Sequence, residues 1–147
     1  MCIENVILNY NTQTFIFGSK SQFNHLCHLV VTELKEKYSN IKRVCYTCKS
    51  ETCTLETNIK EEEKFYLDFL KQKVTILGFE EEFEHKTKYI AGKLSYIKRN
   101  QAMIDNSDIC IFYCDMNYMP TSKTNSGTKI AYEYALKKNK IIINLYK

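Results

Sequence analysis

The chain has 147 residues, of which 44% are hydrophobic and 26% are charged, and its formal net charge is +4. This composition is globular, and the length suits one domain, spanning residues 1–147, that buries a core without metal or disulfide support. The basic residues are dispersed and form no clustered stripe, so a nucleic-acid surface is disfavoured and an anionic small ligand suits the charge at least as well.

Apolar spacing predicts strands that alternate with helices along the chain. In the N-terminal half the predicted elements are a strand at Thr14–Gly18, a helix at 21–38, a strand at 41–48, a helix at 60–73 and a strand at 74–79. In the C-terminal half they are a helix over most of 86–108, a strand at 109–114, a helix beginning at Gly127 and a strand at 141–146. The segment before Thr14 is a candidate for an additional hairpin strand.

This alternation determines the expected fold class. Strands that alternate with helices favour right-handed βαβ units, in which a parallel sheet is covered by helices on both faces. The continuous apolar run ICIFYC at 109–114 is typical of a strand buried on both sides. We therefore predict an α/β, three-layer Rossmann-like domain with a roughly five-stranded, mainly parallel sheet. Ligands of such sheets bind at the carboxyl ends of the strands.

The loop after the first strand contains Gly18, Ser19 and Lys20, and a helix follows it. Glycine permits a tight turn and close backbone approach, while a helix N-terminus offers N–H groups and a positive dipole to an anion. The loop lacks the glycine spacing of dinucleotide-binding and P-loop motifs. Two interpretations therefore remain, a phosphate seat or a turn glycine with Ser19 or Ser21 as the helix N-cap.

The segment Ser126-Gly127-Thr128 presents the same choice at the start of the last helix. Gly127 has no Cβ to block a ligand, and the two hydroxyls and following amides would hold phosphate oxygens. The alternative is capping, since serine is a favoured N-cap residue. If the strands before the two glycine loops are neighbours in the sheet, the loops would form a joint anion site.

Three further charged positions are candidates for the ligand site. Arg99, followed by Asn100 near a helix end, would meet a phosphate, carboxylate or base, or else belong to a solvated basic face. Asp115 ends the fourth predicted strand, and Glu133 lies in the first turns of the last helix. A carboxylate at either position would bind ribose hydroxyls or act as a general acid or base, whereas the alternative for Glu133 is a surface glutamate near a helix start.

The connection at 115–125 is long for a loop between a strand and a helix, and it carries Tyr118 and Pro120. A polar loop with an aromatic residue over the ligand edge predicts a lid that stacks on a base. The alternative is a surface insertion.

Metal and cofactor chemistry is not predicted. Cys45, Cys48 and Cys53 lack a second ligand pair nearby, and tetrahedral zinc needs four ligands. His25 and His28 lie three residues apart on a predicted helix without a metalloprotease motif around them. The role of the cysteine cluster is left open, and no cofactor is expected.

The sequence predicts a cytoplasmic protein. The N-terminus lacks a basic segment followed by a long apolar run, and no apolar run reaches membrane-spanning length. No membrane association is expected. The seven cysteines, an odd number, are expected to be reduced thiols.

Three stretches, TFIFGSKS, YIKRNQAMIDNSDICIFYCD and SGTKIAYEYALKKNKIIINL, resemble bacterial proteins of the SLOG superfamily. These are Rossmann-like nucleotide-binding domains related to the "lonely guy" phosphoribohydrolases and to DprA. The resemblance spans Thr14 to Tyr146 and is strongest from Tyr96 to Ile143. It implies a nucleotide or a nucleotide-derived signal, such as an ADP-ribose-like molecule, which the protein would sense or sequester in anti-phage defence or counter-defence. Relatives often pair into dimers, and a homodimer or higher oligomer is considered on that basis alone.

The resemblance also assigns candidate roles. In lonely-guy enzymes an R-K-x-x-M helix motif supplies a catalytic arginine, and Arg99-Asn100-x-x-Met103 occupies the similar place. A P-G-G-x-G-T-x-x-E loop then holds the phosphate and supplies a glutamate that acts at the ribose. Gly127-Thr128 match this loop, whereas Thr124-Asn125 replace its paired glycines.

The family's glutamate is also replaced, because Ala131 stands in its place. Glu133 follows two residues later, about 200° around an α-helix. The resemblance therefore implies a nucleotide binder. The alternative is an enzyme, either an N-glycosidic hydrolase of nucleoside monophosphates (a phosphoribohydrolase) or one resembling a deoxyribosyltransferase, with Arg99 and Glu133 as catalytic residues and Asp115 as a substitute carboxylate.

Overall fold

A computed structural model of the protein describes residues 2–18, 21–48, 78–85, 93–118 and 126–147. The chain divides into two units, Met1–Glu84 and His85–Lys147, and each contains a pair of parallel strands. Within the described ranges the protein is a mixed α/β structure with four helices and five strands, and none of these helices is long and apolar enough to cross a membrane. The predicted helix at 60–73, residues 74–77 of the next predicted strand and residues 86–92 lie outside those ranges.

The first unit is built around a βαβ arrangement. Its elements in chain order are α1 (Cys2–Tyr10), β1 (Thr14–Gly18), α2 (Gln22–Lys37), β2 (Lys42–Cys48) and β3 (Glu81–His85). Strands β1 and β2 pair in parallel, with Thr14 opposite Lys42 and Gly18 opposite Tyr46, and β3 lies on the other side of β2. The predictions for β1, α2 and β2 are confirmed to within one residue at each end.

The hairpin strand predicted before Thr14 is wrong, because this segment is helix α1. Ile3, Val6 and Ile7 are buried at the spacing of one helix face. Glu4 accepts hydrogen bonds from Lys37 Nζ at 2.7 Å and from Tyr38 Oη at 3.0 Å, which fastens α1 to the end of α2. Burial of this face and the tie to α2 outweigh the strand propensity of isoleucine and valine.

An ion-pair network connects β2, α2 and the residue that precedes β3. The Arg43 guanidinium donates to Glu80 from Nη2 at 2.8 Å and to Thr32 Oγ1 from Nη1 at 3.0 Å, and Lys35 Nζ lies 2.8 Å from Glu80 Oε1. The backbone N–H of Arg43 also donates to Glu80 Oε2 at 2.6 Å. Burial alone would raise the pKa of the Glu80 carboxyl, but hydrogen bonds from Arg43 and Lys35 outweigh it and lower this pKa to about 2.

The network explains why a charged sequence, Glu81–His85, forms a strand that apolar periodicity does not predict. The backbone N–H of Glu80 donates to the carbonyl of Arg43 at 2.9 Å, which starts the pairing of this segment with β2. The rings of Phe83 and Tyr46 then pack with their centroids 4.8 Å apart. Gly78 and Phe79, at the end of a predicted strand, lie just before β3 and outside it.

The second unit contains α3 (Lys93–Asp105), β4 (Ile109–Phe112), α4 (Gly127–Lys137) and β5 (Ile141–Asn144). Strands β4 and β5 are parallel, from Ile109 opposite Ile141 to Phe112 opposite Asn144. Each strand ends two residues earlier than predicted. The helix, strand, helix and strand otherwise occur in the predicted order.

Small side chains in α4 allow the second unit to form its core. Ala131 and Ala135 share one helix face and pack with Ile104 of α3 and Cys110 of β4. The margin of this cluster is formed by the partly buried side chains Phe112, Tyr134 and Ile142. Alpha-helix α4 therefore lies close against the strands, which fixes the position of its first turn relative to the ends of β4 and β5.

Helix α4 ends in a Schellman motif that directs the chain into β5. Asn139 adopts the left-handed conformation with φ 55°, which asparagine tolerates better than most residues. Its N–H donates to the carbonyl of Leu136 at 3.0 Å, and the N–H of Lys140 donates to that of Ala135 at 3.1 Å. These two bonds satisfy carbonyl groups at the helix end.

The described cysteines form no disulfide bonds. Cys45, Cys48, Cys110 and Cys114 are buried, whereas Cys2 and Cys27 are half-buried. Burial raises the pKa of the Cys27 thiol to about 11, and burial also raises the pKa values of Cys110 and Cys114. Cys53 lies outside the described residues.

Candidate functional site

The turn from β1 into α2 is built as a helix cap. Ser21 is the N-cap of α2, and its Oγ accepts from the N–H of Asn24 at 2.9 Å. The Asn24 side chain donates to the same Oγ at 2.8 Å, and its Oδ1 accepts from the N–H of Gly18 at 3.2 Å. The Gly18 N–H, which a phosphate would otherwise accept from, therefore already donates to the Asn24 side chain. Ser19 and Lys20 lie outside the described residues.

The start of α4 is more open. Ser126 is the N-cap, and its Oγ accepts from the N–H of Lys129 at 3.1 Å. Helix geometry leaves the N–H groups of Gly127 and Thr128 without acceptors inside the helix. A Cβ added to Gly127 would meet no atom within 4 Å in the described part of the chain. Packing therefore does not account for a glycine here, and capping is done by Ser126.

Beyond the end of β4, a side chain of β5 is hydrogen-bonded to the backbone. Asn144, the last residue of β5, accepts from the N–H of Cys114 at 3.0 Å and donates to the carbonyl of Cys114 at 2.8 Å. Its Oδ1 also accepts from the N–H of Tyr146 at 3.2 Å. The side-chain amide of Asn144 therefore links the backbone that follows β4, immediately before Asp115, to the backbone that follows β5.

Asp115 begins a turn at this edge. Its Oδ1 accepts from the N–H of Asn117 at 2.9 Å, and its carbonyl accepts from the N–H of Tyr118 at 3.2 Å. A hydrogen bond with the Asp115 carboxylate raises the pKa of Tyr146. Tyr118 is exposed on the turn, and residues 119–125 of the predicted lid lie outside the described residues.

The electrostatics of the Cys114 thiol show which charges lie near this edge. Burial raises the pKa of Cys114 most, the charge of Asp115 raises it further, Lys129 lowers it and Glu133 raises it. Lys129 and Glu133 are four residues apart and share a face of α4. The charges of Asp115, Lys129 and Glu133 therefore all act on the thiol that follows β4.

Arg99 does not lie on a solvated basic face, because its residue is only 6% exposed. Its Nη2 donates to Asn100 Oδ1 at 3.2 Å, and its guanidinium carbon lies 5.4 Å from the centroid of the Tyr96 ring. Ser95, one turn earlier on the same face of α3, is fully buried. A buried arginine is costly to desolvate, so its position on α3 is a specific feature of this fold.

The position that the family resemblance gives to a glutamate is part of the core. Ala131 is 8% exposed and packs with Ile104 and Cys110, whereas Glu133 is exposed. The two positions lie on nearly opposite faces of α4. Glu133 consequently does not occupy the place of the family's glutamate.

The histidines and cysteines considered for metal binding have positions and contacts that belong to the packing of the fold. Cys45 and Cys48 are three residues apart on β2, so their side chains leave opposite faces of the strand. His28 Nε2 is hydrogen-bonded to the carbonyl of Gly78, and its ring packs on Phe79 at 4.4 Å between centroids. The described parts of the chain hold no group of three or more histidine, cysteine or carboxylate side chains placed to bind a metal ion.

Sequence reasoning missed two tyrosines at this edge. Tyr113 and Tyr146 are 57% and 41% exposed, and their rings meet edge to face with centroids 5.3 Å apart and an interplanar angle of 76°. The signal was a tyrosine at or next to the last position of both predicted strands, 109–114 and 141–146. The pairing becomes apparent only from the parallel register of β4 and β5.

Comparison of the sequence with protein-family models gives no match, and comparison with curated protein sequences gives none either.

Proposed function

We propose that the chain binds a nucleotide or nucleotide-derived signal, such as an ADP-ribose-like molecule, at the carboxyl end of β4 and β5, as a SLOG-type sensor or sequestering protein. The observation that carries the proposal is the start of α4, where Ser126 Oγ accepts from the N–H of Lys129 and no described residue occupies the space within 4 Å of a Cβ on Gly127. The N–H groups of Gly127 and Thr128 would hold the phosphate, assisted by the positive end of the helix dipole.

The proposal includes a Rossmann-like fold with a roughly five-stranded, mainly parallel sheet. Its support is the parallel pairing of β1 with β2 and of β4 with β5, each pair connected through a helix. Such connections are almost always right-handed, as they are in the two halves of a Rossmann-like fold.

Binding without cleavage is favoured by the core position of Ala131. The lonely-guy hydrolases, which this sequence resembles, have a glutamate at the corresponding position, and its carboxylate acts at the ribose. The methyl group of Ala131 cannot stabilise an oxocarbenium-like centre. The proposed role of Arg99 and Asn100 is to face the phosphate or the base. Asp115 and Tyr118 would contact the rest of the ligand.

An enzyme that cleaves an N-glycosidic bond is the second candidate. It is favoured by the electrostatics of Cys114, because the charges of Asp115 and Glu133 both add to the effect of burial in raising the pKa of this thiol. One carboxylate would stabilise the ribose centre in such a reaction, while the other protonates the departing base.

One experiment distinguishes these functions. The protein is mixed with nucleoside monophosphates and ADP-ribose derivatives, its melting temperature is measured, and the ligand is then analysed by mass spectrometry. Binding at a ligand concentration 100 times the Kd should stabilise the folded state by about 2.7 kcal/mol. A saturable shift with intact ligand supports the binder. Release of free base supports the enzyme, and the absence of any shift or turnover contradicts both.

The substitution Gly127→Ala tests whether the first turn of α4 holds the phosphate. The added methyl group meets no atom of the described ranges within 4 Å, and alanine is the better helix former, so stability should be unchanged or rise by about 0.5 kcal/mol. Nucleotide affinity should fall about tenfold, because the methyl group would obstruct a phosphate at the helix start. Calorimetric titration and urea unfolding measure the two effects separately.

The control for Gly127→Ala is Leu136→Ala, which removes an exposed side chain near the other end of the same helix. It should leave nucleotide affinity unchanged. If Gly127→Ala retains full affinity, the phosphate does not approach Gly127 and the glycine serves only to begin the helix.

A further inference from the structure

At the carboxyl end of the β4–β5 pair, a side chain replaces the backbone as the partner of the residues that follow β4. The N–H of Leu145 donates to the carbonyl of Phe112 at 2.8 Å. Because bonds in a parallel pair are evenly spaced, a longer ladder would next join the N–H of Cys114 to the carbonyl of Leu145. The N–H of Cys114 instead donates to Asn144 Oδ1 at 3.0 Å, and the carbonyl of Cys114 accepts from Asn144 Nδ2 at 2.8 Å.

This replacement allows the chain to turn at once. Cys114 is only 4% exposed, and buried N–H and carbonyl groups require partners. A continued strand would supply them, but it would carry Asp115 onward in an extended conformation. With Asn144 as the partner, the chain turns instead, and the Asp115 carbonyl accepts from the N–H of Tyr118 at 3.2 Å while Asp115 Oδ1 accepts from the N–H of Asn117 at 2.9 Å.

The bond to the carbonyl of Cys114 also fixes the direction in which Asp115 leaves the strand. This carbonyl and the N–H of Asp115 belong to one planar peptide unit. Since Asn144 Nδ2 holds the carbonyl, the plane cannot rotate without breaking that bond. The orientation of this plane determines where the turn at 115–118 begins, and so where the Asp115 carboxylate lies.

The bonds of Asn144 require an amide on a short side chain. Its Oδ1 accepts from the N–H groups of Cys114 and Tyr146, and its Nδ2 donates. An aspartate would accept both N–H bonds but would place a second oxygen against the Cys114 carbonyl. Asparagine is disfavoured in strands, yet it ends β5 after three isoleucines. Strand propensity therefore does not account for this residue, whereas its hydrogen bonds do.

We propose that Asn144 is a positioning residue of the nucleotide site, which holds Asp115 and Tyr118 in place before the ligand arrives without contacting the ligand itself. This inference rests on the proposed function, in which these two residues contact the ligand. A turn that is already ordered lowers the entropic cost of binding. Loss of the amide should therefore weaken binding of the part of the ligand that meets the turn, and should spare a phosphate at Gly127 and Thr128.

The test uses Asn144→Leu, because leucine has nearly the shape of asparagine, forms no side-chain hydrogen bonds and adds no charge. In the ligand-free protein, NMR backbone order parameters at 115–118 should fall from about 0.85 to below about 0.6, while those at 109–112 stay unchanged. Calorimetric titration with ADP-ribose, or with AMP if it binds more tightly, should show binding at least tenfold weaker. Inorganic phosphate, followed through the amide signals of Gly127 and Thr128, should bind within twofold of the parent.

A double variant distinguishes positioning from a general loss of stability. Because Asn144 acts through the turn that begins at Asp115, its removal should matter less once Asp115 is gone. The variant with both Asp115→Ala and Asn144→Leu should bind the nucleotide no more than about threefold more weakly than Asp115→Ala alone. Two independent effects would multiply instead.

The matched control is Asn106→Leu. Asn106 Nδ2 donates to the carbonyl of Ala102 at 2.8 Å beyond the end of α3, so this change also removes a bond from a side chain to the backbone. It should leave the affinities and the order parameters at 115–118 unchanged. Circular dichroism verifies folding, and Asn144→Thr, which retains strand propensity, replaces Asn144→Leu if the latter does not fold.

The outcomes separate this inference from the proposed function. If the Asn144 variant binds the nucleotide as tightly as the parent, keeps the order parameters at 115–118, or weakens phosphate and nucleotide binding equally, Asn144 is not a positioning residue. The same conclusion follows if the losses of the double variant multiply. Nucleotide binding stands in each of these cases. If the parent protein binds neither ADP-ribose nor AMP, both proposals are overturned.

Discussion

Replacing Glu80 by glutamine should lower the free energy of unfolding by about 2–3 kcal/mol. The substitution removes the charge that compensates the Arg43 guanidinium, and Arg43 is only 6% exposed. Breaking a buried ion pair by neutralising one partner costs about 3–5 kcal/mol, and the effect here is smaller because 30% of the Glu80 side chain is exposed. Urea unfolding at neutral pH, followed by circular dichroism, measures the loss.

The same carboxylate makes stability depend on pH in a defined direction. Its pKa is about 2 in the folded protein and near the ordinary value of 4.5 in the unfolded chain. The stabilisation is therefore fully present above about pH 4.5 and is lost as the pH falls toward 2. After allowance for solvent screening, we expect about 1–2 kcal/mol to disappear across this range, and Glu80→Gln should remove that part of the pH dependence.

Glu81→Gln provides the matched control for Glu80→Gln. Glu81 also pairs with a lysine, Lys42, but both side chains of that pair are about half exposed. Exposed ion pairs contribute about 0–1 kcal/mol, so this variant should unfold almost as the parent does. Equal effects of Glu80→Gln and Glu81→Gln would show that the Arg43 network has no special part in stability.

Replacing Ala131 by glutamate should destabilise the protein by about 3–5 kcal/mol. The substitution places a carboxylate at the position where the lonely-guy loop motif has one, but the variant should not release free base from nucleoside monophosphates. Ala131 packs against Ile104 and Cys110, and a glutamate there would bury an unpaired charge and crowd a filled space. Urea unfolding gives the stability, and mass analysis after incubation with nucleoside monophosphates gives the activity.

The control for Ala131→Glu introduces the same residue at an exposed apolar position of the same helix. Leu136 is 53% exposed, so Leu136→Glu should change stability by about 0.5 kcal/mol or less. A stable Ala131→Glu protein that releases free base would contradict the core position of this residue and would support the enzyme interpretation. A destabilised Ala131→Glu protein that releases no base, together with a normal Leu136→Glu protein, is the expected result.

Where local pattern and tertiary contact agree, the sequence predicts the fold closely. Thr14–Gly18 and Gln22–Lys37 were predictable because an apolar run and a helical stripe each have a period that nothing opposes. Helix α1 was missed although Ile3, Val6 and Ile7 have helical spacing, because its stability depends on the tie between Glu4 and the distant end of α2. Strand β3 was missed for the same kind of reason, since Arg43 lies 37 positions away from Glu80.

The candidate site was predictable at the level of the edge but not of its chemistry. The rule that ligands bind at the carboxyl ends of strands directed attention to Asp115 and to the start of α4, and the structure places Asp115 shortly after the end of β4 and Gly127 at the start of α4. It gave no information on burial, so Arg99 was weighed as a possible surface residue and Ala131 was not recognised as core. The Tyr113–Tyr146 pair depends on strand register, which single-chain periodicity does not contain.

Each unit contains buried thiols whose alkylation can report the local unfolding of that unit. Cys45 and Cys48 lie in β2 of the first unit, and Cys110 and Cys114 lie in or just after β4 of the second. A buried thiol is slow to alkylate, because it must become accessible and lose its proton before it reacts. The rate at which each pair is labelled therefore follows the local unfolding of its own unit, and mass analysis of the peptides reads both rates in one sample. The natural sequence thus allows the cooperativity between the two halves of the chain to be measured without introducing any probe.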